Sequence, residues 1–309
     1  MRVARIELEG SPVTAIVEAD AVRPLPGVGV LELLTGGSAE AEAGSPIPLS
    51  DVRLLSPIEP ASVRDFSVFE QHGEGASMAL GGPDAKVQDA WYERPAFYFS
   101  NPHATTGPGD AIEPPAESTG LDLELEVAVV IGRRARNVSV EEAEACIVGY
   151  TIFNDWSERA LSAQEARLPF GFHKAKDFAN TFGPWIVTPD ELEQYRDGDR
   201  LNLRMTAYVN GTEIGGDTLA SMAWSFPELV HFAARGAWIA PGDVIGSGTC
   251  GGGCLFELWG RNQAQEPPPL KPGDEVRLEV EGIGALTNTV GEFQPDLPAL
   301  PPARSRARA

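Results

Sequence analysis

Glu124 and Glu126 are the residues of this sequence whose types and spacing most directly suggest chemistry. They alternate with leucine and valine, and an apolar run follows, so the pattern predicts a strand over residues 121 to 131. Side chains two residues apart on a strand share a face and lie about 7 Å apart. On a central strand two enclosed carboxylates would raise each other's pKa or bind a cation. On an edge strand they would only form a solvated acidic face, and the segment alone leaves both interpretations open.

A third carboxylate, Asp155, follows an apolar segment at residues 149 to 154, which predicts another strand. Asp155 could simply cap a helix starting near Trp156, with Glu158 completing a capping-box-like pair. Placed beside the two glutamates, it would instead complete an oxygen-rich site suited to Mg²⁺, Mn²⁺ or Ca²⁺.

Asp65 and His72 form a further candidate pair, in a segment over residues 62 to 78 for which we predict a helix. Residues seven apart on a helix share a face but lie about 10 Å apart, so the two side chains could flank one site but not bind one ion. A lone histidine is also common without any function. The chain has four histidines, and no two have the spacing of a zinc motif.

The loop at residues 246 to 254 contains a GxGxxG pattern after a strand-like segment. The alternation at residues 255 to 259 predicts a strand and not a helix, which disfavours a dinucleotide site. We therefore expect the loop to present backbone N–H groups to an anion, with Glu257 projecting from the next strand. Cys250 and Cys254 lack the two further ligands that a structural zinc site needs.

These candidates need a scaffold, and the patterning predicts an α+β protein. Alternating runs at residues 2 to 9 and 13 to 18 indicate a small β-rich N-terminal domain over residues 1 to 57, followed by a catalytic domain over residues 58 to 295. Residues 35 to 48 read as a linker and residues 296 to 309 as a flexible tail. Further predicted elements are a capped helix from Ser139 to about residue 147, an Asn210-Gly211 hairpin, a helix at 226 to 235, and closing strands at 276 to 280 and 286 to 290.

The composition narrows the class of protein. With 45 acidic and 24 basic residues the formal charge is -21, which disfavours binding to nucleic acid or to an anionic membrane. The N-terminus has no apolar core of a signal peptide, no segment is long enough to span a bilayer, and three cysteines are too few for a disulfide framework. We expect a cytoplasmic protein.

Taken in order, five segments resemble the fumarylacetoacetate hydrolase family, over about three-quarters of the chain. They are Arg64-Asp65-Phe66 with His72, Glu124-Leu-Glu126, Asn154-Asp155-Trp156 to Arg159, the run from Lys176 to Trp185, and Gly248-Thr249 followed by Phe256-Glu257-Leu258. The resemblance implies a mixed β-roll, usually a homodimer, preceded by a small N-terminal domain.

The resemblance also implies roles for individual residues. Asp65, Glu124, Glu126 and Asp155 match the family's ligands for one divalent cation. His72 matches the residue that activates a water, and Glu257 the carboxylate that orients it. Arg159 and Lys176 match groups that hold the oxygens of a small anionic oxo-acid substrate, and Thr249 matches a contact to the substrate carboxylate. Arg159 and Lys176 would also act in catalysis by neutralising the oxyanion that forms, and Lys176 could return a proton to the enolate. The implied reaction is hydrolysis of a carbon–carbon bond in a β-diketo or acylpyruvate-type acid.

The sequence departs from fumarylacetoacetate hydrolases proper around the substrate. Ser67 stands where they carry tyrosine, Gly81 where they carry arginine, Ser162 where they carry glutamine, and Ala166 where they carry tyrosine. We therefore expect a different oxo acid. Two alternatives stay open: a decarboxylase, hydratase or isomerase on the same metal site, and a non-catalytic oxo-acid-binding protein. Because His72 and Glu257 are present, hydrolysis is favoured.

Overall fold

The computed structural model describes residues 1–37, 43–116, 118–168, 171–293, 297–298 and 301. The strands in these ranges are β1 (Arg2–Leu8), β2 (Ser11–Glu18), β3 (Ala21–Leu25), β4 (Ile47–Pro48), β5 (Arg53–Leu55), β6 (Ser62–Phe66), β7 (Phe97–Ser100), β8 (Thr105–Thr106), β9 (Ala111–Ile112), β10 (Leu121–Asp122), β11 (Leu125–Ile131), β12 (Ile147–Asp155), β13 (Ser157–Glu158), β14 (Asn180–Val187), β15 (Arg196–Asp197), β16 (Arg200–Leu201), β17 (Arg204–Val209), β18 (Thr212–Thr218), β19 (Asp243–Gly246), β20 (Glu275–Val280) and β21 (Gly284–Val290). The helices are α1 (Val30–Leu34), α2 (Glu70–Gly81), α3 (Asp89–Glu93), α4 (Val140–Glu144), α5 (Arg159–Glu165), α6 (Pro189–Leu192), α7 (Phe226–Ala234) and α8 (Leu255–Asn262).

The fold is a mixed β-roll built from two main sheets. In the described residues the larger sheet has the strand order β4-β3-β2-β1-β14-β12-β11-β19-β6-β7, with β5 beside β1 and β8 beside β14. The smaller sheet has the order β18-β17-β20-β21-β9. Most neighbours are antiparallel, but β6 pairs parallel with β19. The α+β class and the β-roll predicted from the sequence are confirmed.

Strand β11 is central and is buried on both faces. It pairs with β12 on one side and with β19 on the other. Val127 and Val129 face the main core, which also includes Met205 of β17 and Leu278 of β20, so this core lies between the two sheets. Val130, on the opposite face, belongs to a second cluster of buried residues. The carboxylates near the start of β11 therefore lie in an enclosed region and not on a solvated edge.

The N-terminal strands extend the same large sheet. Strand β1 pairs with β2 and β5 within the first 57 residues, and Arg2 and Val3 also pair with Val187 and Ile186 of β14. The N-terminal segment thus continues the sheet of the following region through backbone hydrogen bonds. The predicted linker lies partly, and the predicted tail at 296 to 309 almost wholly, outside the described residues.

Several locally encoded elements form as predicted. Asn210 and Gly211 both have positive φ, as a type I′ hairpin between β17 and β18 requires. Ser139 and Glu142 form the predicted capping box, although α4 ends at Glu144, before the expected residue 147. Helix α7 and strands β20 and β21 occupy the predicted places. No described helix is long and apolar enough to cross a membrane.

Three predictions of secondary structure are wrong in part. Residues 62 to 66 form strand β6, and the helix starts only at Glu70. Residues 255 to 259 begin helix α8 and are not a strand, with Cys254 as N-cap. The strand predicted over 121 to 131 is interrupted at Leu123 and Glu124, between β10 and β11. Residues 62 to 66 and 255 to 259 are too short for their pattern to separate helix from strand, so long-range contacts decide their conformation.

Candidate active site

A cavity of about 230 Å³ is lined by residues of the helices α2, α5 and α8, by the end of strand β6 and by the start of strand β11. Seven of the nine side chains singled out in the sequence line it, namely Asp65, His72, Glu124, Glu126, Arg159, Lys176 and Thr249. The other two, Asp155 and Glu257, are fully buried and contact residues of this wall. The structure therefore brings all nine into one region.

Three carboxylates, from Asp65, Glu126 and Asp155, form what we call the acid cluster. Each offers an oxygen within 4.8 Å of the other two, and all three residues are buried. Asp65 is on β6, Glu126 on β11, and Asp155 is the last residue of β12. Asp155 therefore does not cap a helix, because the N-cap of α5 is Glu158.

Few donors compensate the acid cluster. The hydroxyl of Tyr98 donates to Asp65 at 2.8 Å and also contacts Asp155. The backbone N–H of Gly248 is shared between Asp65 at 3.2 Å and Glu126 at 3.1 Å. Gly248 has a φ of +78°, and a Cβ here would lie 2.3 Å from the carbonyl oxygen of Phe66, so only glycine brings this amide to the carboxylates.

The pKa values of the acid cluster reflect this shortage of positive charge. Burial, and then the negative charge of Asp65, raises the pKa of Glu126 well above its ordinary value. Burial also raises the pKa of Asp65, and it raises that of Asp155 to about 8 despite the opposing ammonium of Lys176. Three buried carboxylates with raised pKa values are stabilised by an added cation.

The acid cluster fits a hard divalent cation. Its donors are all carboxylate oxygens, which Mg²⁺, Mn²⁺ and Ca²⁺ prefer. Oδ1 of Asp155 is buried and has no hydrogen-bond partner among the described residues, and such an atom ordinarily needs one. An ion at this cluster would satisfy that oxygen.

Glu124 belongs to a different set, which we call the ion-pair cluster and which also contains Asp122, Arg159 and Lys176. Arg159 donates to Oδ2 of Asp122 at 2.6 and 2.9 Å and to Oε1 of Glu124 at 2.6 Å. The ammonium of Lys176 contacts Oε2 of Glu124 and also Asp155. Two acids and two bases thus face one another, and Lys176 connects this cluster to the acid cluster.

Charge compensation changes the pKa of Glu124. Burial opposes ionisation, but the positive charges of Lys176 and Arg159 outweigh it and lower the pKa below the ordinary value. Burial likewise opposes the protonated form of Lys176, but Asp155 and Glu124 outweigh it and raise the pKa of the ammonium. Glu124 therefore stays ionised and Lys176 stays protonated.

His72 and Glu257 face each other on the neighbouring helices α2 and α8. Nδ1 of His72 lies 3.6 Å from Oε2 of Glu257 and 3.7 Å from Sγ of Cys254. The helices approach closely because a Cβ at Gly75 would lie 2.2 Å from Glu257 and one at Gly260 would lie 2.0 Å from the backbone of Gly75. The two glycines thus permit the contact between the histidine and the glutamate.

Glu257 is held as an anion. Burial opposes its ionisation, but His72, the N–H of Gly252 at 2.7 Å and Arg261 at 3.0 Å together lower its pKa. Glu257 projects from helix α8 and not from a strand, which corrects the sequence-based prediction.

The glycine-rich loop donates to the protein's own carboxylates. The amides of Gly248, Gly251 and Gly252 donate to side chains of the acid cluster, Asp217 and Glu257. A helix does follow the loop, but its first amides, Leu255 and Phe256, donate to Asp122 at 2.8 and 3.0 Å. The N-terminus that a pyrophosphate would need is already occupied by this carboxylate.

Comparison with known proteins identifies the family. Residues 63–291 match the family described as fumarylacetoacetate (FAA) hydrolase C-terminal, and residues 1–57 match the one described as Rv2993c-like, N-terminal. The chain belongs to the fumarylacetoacetate hydrolase family.

Relatives within the fumarylacetoacetate hydrolase family carry out different reactions. The chain is 29% identical to a 2,4-didehydro-3-deoxy-L-rhamnonate hydrolase of Sphingomonas sp. (strain SKA58), over 95% of this chain and 97% of that protein. It is 29% identical to the oxaloacetate tautomerase YisK of Bacillus subtilis (strain 168), over 79% and 74%. A 5-carboxymethyl-2-hydroxymuconate delta-isomerase structure from Mycobacterium smegmatis matches with a TM-score of 0.70 and 27% identity, over 94% of this chain and 100% of that one. This enzyme family thus contains hydrolases, tautomerases and isomerases.

Two residues of the site were not singled out as site residues from the sequence. Asp122 alternates with apolar residues in the same way as Glu124 and Glu126, so the alternating pattern already indicated that the three acidic side chains share a face. Tyr98 stands in the aromatic run of β7, which pairs with β6 and places Tyr98 opposite Asp65. Its position could be inferred only from the pairing of the two strands, which the sequence did not provide.

Proposed function

We propose that this member of the fumarylacetoacetate hydrolase family is a divalent-cation-dependent hydrolase that cleaves a carbon–carbon bond in a β-diketo or acylpyruvate-type oxo acid. The observation that carries the proposal is the placement of His72. It lines the cavity that Asp65 and Glu126 of the acid cluster also line, and its ring lies against the buried anion of Glu257. Hydrolysis needs a base for a water molecule, whereas decarboxylation does not.

Asp65, Glu126 and Asp155 would hold the cation, with Glu124 oriented toward Lys176 and Arg159 instead. This assignment differs from the four-ligand set implied by the resemblance, because both carboxylate oxygens of Glu124 form ion pairs, one with Arg159 and one with Lys176. When bound, a divalent cation polarises the carbonyl oxygens of a chelating oxo acid.

His72 removes a proton from water as the water oxygen attacks the substrate carbonyl. Glu257 favours the resulting imidazolium because it stays ionised and lies 3.6 Å from Nδ1. Fixed charges aimed at a developing oxyanion stabilise the transition state, and Arg159 and Lys176 supply them here. The carbon–carbon bond then breaks, its electron pair remains on the pyruvoyl fragment, and the imidazolium of His72 returns the proton to that carbon.

Lys176 acts as a fixed charge in this scheme and not as the proton donor. Asp155 and Glu124 raise the pKa of its ammonium, so it releases its proton less readily than an ordinary lysine. Thr249 is buried beside Glu126, with its hydroxyl 3.5 Å from Oε1, where it can contact the substrate carboxylate.

A second candidate function is an oxo-acid tautomerase, isomerase, hydratase or decarboxylase. The similarity to an oxaloacetate tautomerase favours it, since tautomerisation would use the same oxo-acid head group. The hydrolase cleaves a carbon–carbon bond of the substrate with addition of water, and the alternative reactions do not.

Product analysis tests the choice. The purified chain, supplied with Mg²⁺ or Mn²⁺, is incubated with acylpyruvates and with oxaloacetate, and the products are followed by NMR. We expect cleavage of acylpyruvates to pyruvate and a carboxylic acid, and EDTA should abolish it. His72→Gln should lower kcat by about 10²- to 10⁴-fold, the usual contribution of a general base. His103→Gln, at an exposed histidine, is the control and should keep full activity. Keto–enol exchange or CO₂ release from oxaloacetate alone, unaffected by His72→Gln, would refute the hydrolase.

A further inference from the structure

The cavity has two chemically different ends. The acid and ion-pair clusters form the buried end, whose carboxylates are at most 4% exposed. The remaining wall carries two small polar side chains, Ser67 and Ser162, and apolar side chains from β6, α2, α5, α8 and the segment before Lys176, namely Phe66, Ala76, Leu80, Ala163, Phe172 and Phe256. Leu80 and Phe172 are 64% and 39% exposed, so they mark the mouth.

Positive charge is confined to the buried end. Of the described residues that line the cavity, the basic ones are His72, Arg159 and Lys176. Arg159 is paired with Asp122 and Glu124, Lys176 with Glu124 and Asp155, and His72 faces Glu257. No lining residue of the described chain therefore offers a cation to a second carboxylate at the mouth.

Leu80 and Phe172 at the mouth would contribute binding free energy if an apolar group of a ligand covered them. Single exposed leucines and phenylalanines are normal on protein surfaces. Leu80 and Phe172, however, line one cavity from different segments, and Ala76, Ala163 and Phe256 add apolar surface to the same cavity. An apolar substituent lying along this wall would be removed from water together with both side chains, which is favourable.

We infer that the site selects a monocarboxylic oxo acid with an apolar tail. The carboxylate and oxo groups occupy the charged end, and an alkyl or aryl tail packs along Phe256, Leu80 and Phe172. A dicarboxylic substrate of the same length would place an ionised group against this wall without a partner, which is costly. This inference rests on the proposed function for the position of the oxo-acid head group.

Turnover of a homologous series tests the inference on the full chain with Mg²⁺. The substrates are acetylpyruvate, butanoylpyruvate, hexanoylpyruvate and the analogue of hexanoylpyruvate whose terminal methyl is replaced by a carboxylate. We expect kcat/KM to rise by up to about fourfold per added methylene, the value of a fully buried CH₂. The carboxylated analogue should be at least about a hundredfold poorer than hexanoylpyruvate.

Binding of N-alkyl oxamates keeps the inference testable whatever the reaction is. These compounds present the same head group and are not cleaved, so calorimetry can compare N-methyl, N-hexyl and ω-carboxyalkyl oxamate. We expect the N-hexyl compound to bind most tightly. If no acylpyruvate is cleaved but this order holds, the proposed function fails and the apolar-tail inference stands.

A charge added at the mouth should weaken the preference. Leu80→Arg places a guanidinium beside the tail, so the ratio of the hexyl to the carboxylated ligand should fall at least tenfold. Leu168→Arg is the matched control, since Leu168 is 58% exposed but does not line the cavity, and its ratio should stay at the wild-type value. Wild-type protein that binds the carboxylated ligand as tightly as the hexyl one, or equal effects of the two arginine variants, would overturn the inference.

Discussion

The acid cluster and the ion-pair cluster contain similarly buried carboxylates, but they differ in how many cationic side chains face those carboxylates. In the ion-pair cluster, Asp122 and Glu124 are matched by two cationic side chains of the same chain. In the acid cluster, three carboxylates share one amide, the hydroxyls of Tyr98 and Thr249, and part of Lys176. The first cluster is complete without a ligand, and the second is completed only by added positive charge.

Burial alone does not set the pKa of a carboxylate in this site. Burial raises the pKa of Glu126 and of Asp155, but it fails to do so for Glu124, only two residues from Glu126. The difference comes from Arg159 and Lys176, which are brought in by α5 and by the 3-10 turn Lys174–Lys176. Helix α5 and this 3-10 turn therefore determine which of the buried carboxylates have cationic partners within the chain.

The largest effect on stability is expected at Asp122. This carboxylate accepts hydrogen bonds from the amides of Leu255 and Phe256 and pairs with Arg159. Asp122→Asn leaves a buried guanidinium short of one counter-charge, which typically costs about 3–5 kcal/mol. Urea unfolding of both proteins measures the loss.

The control for Asp122→Asn is an exposed pair. Glu18 and Arg23 also form two hydrogen bonds, but both side chains face solvent, so Glu18→Gln should change stability far less. Equal losses in the two variants would mean that the ion-pair cluster does not support the fold.

Addition of a divalent cation should have the next largest effect. A ligand present at a hundredfold its Kd stabilises the folded state by about 2.7 kcal/mol. We expect Mg²⁺ or Mn²⁺ to raise the unfolding midpoint relative to EDTA, and Asp155→Asn to remove most of this shift. Asp177→Asn, at an acid that pairs with Lys174 at the surface, should keep the full shift. A shift that survives in Asp155→Asn would place the cation elsewhere.

The sequence predicted the fold best where the signal is local. The Asn210-Gly211 hairpin and the capping box at Ser139 depend on residues within four positions of one another, and both form. The local pattern predicts a helix at residues 62 to 66, because their pairing partner β19 lies about 180 residues away and leaves no local signal. Residues 255 to 259 were assigned to a strand, because the group that accepts from the first amides of α8 is the distant Asp122.

The sequence predicts which residues belong to the candidate site, but not how they separate into the acid cluster and the ion-pair cluster. Residue types and the family resemblance pointed to all nine residues, including Asp65 and Glu124. The sequence grouped Glu124 with the metal ligands, since alternation places it beside Glu126. Its pairing with Arg159 and Lys176 depends on how α5 and the 3-10 turn pack, which no local pattern specifies.

Tyr98→Phe should lower the free energy of unfolding by less than the changes above, and by an amount that depends on whether a cation is bound. The hydroxyl of Tyr98 contacts Asp65 and Asp155, and a hydrogen bond to a charged group contributes about 1.5–3 kcal/mol. We expect a loss of about 2 kcal/mol in EDTA and a smaller loss with saturating Mg²⁺, because the cation then supplies positive charge to the same oxygens. Urea unfolding under the two conditions measures both losses. Tyr92→Phe, which removes an exposed bond to Glu70, should lose little in either condition.

The smallest expected effect is at Glu126, where Glu126→Gln should raise the free energy of unfolding in EDTA and lower it in Mg²⁺. In EDTA, Glu126→Gln replaces a buried carboxyl, whose pKa burial and Asp65 raise, with a neutral amide that can donate to Asp65, so the variant should be more stable than wild type by about 1 kcal/mol. With saturating Mg²⁺ the order should reverse, because the variant has lost a ligand. Glu124→Gln, two residues away, should be less stable in both conditions, since it unpairs Lys176 and Arg159. Unfolding curves of the three proteins under both conditions decide the matter: if both variants lose stability in EDTA, the acid cluster carries no excess negative charge and the distinction between the clusters disappears.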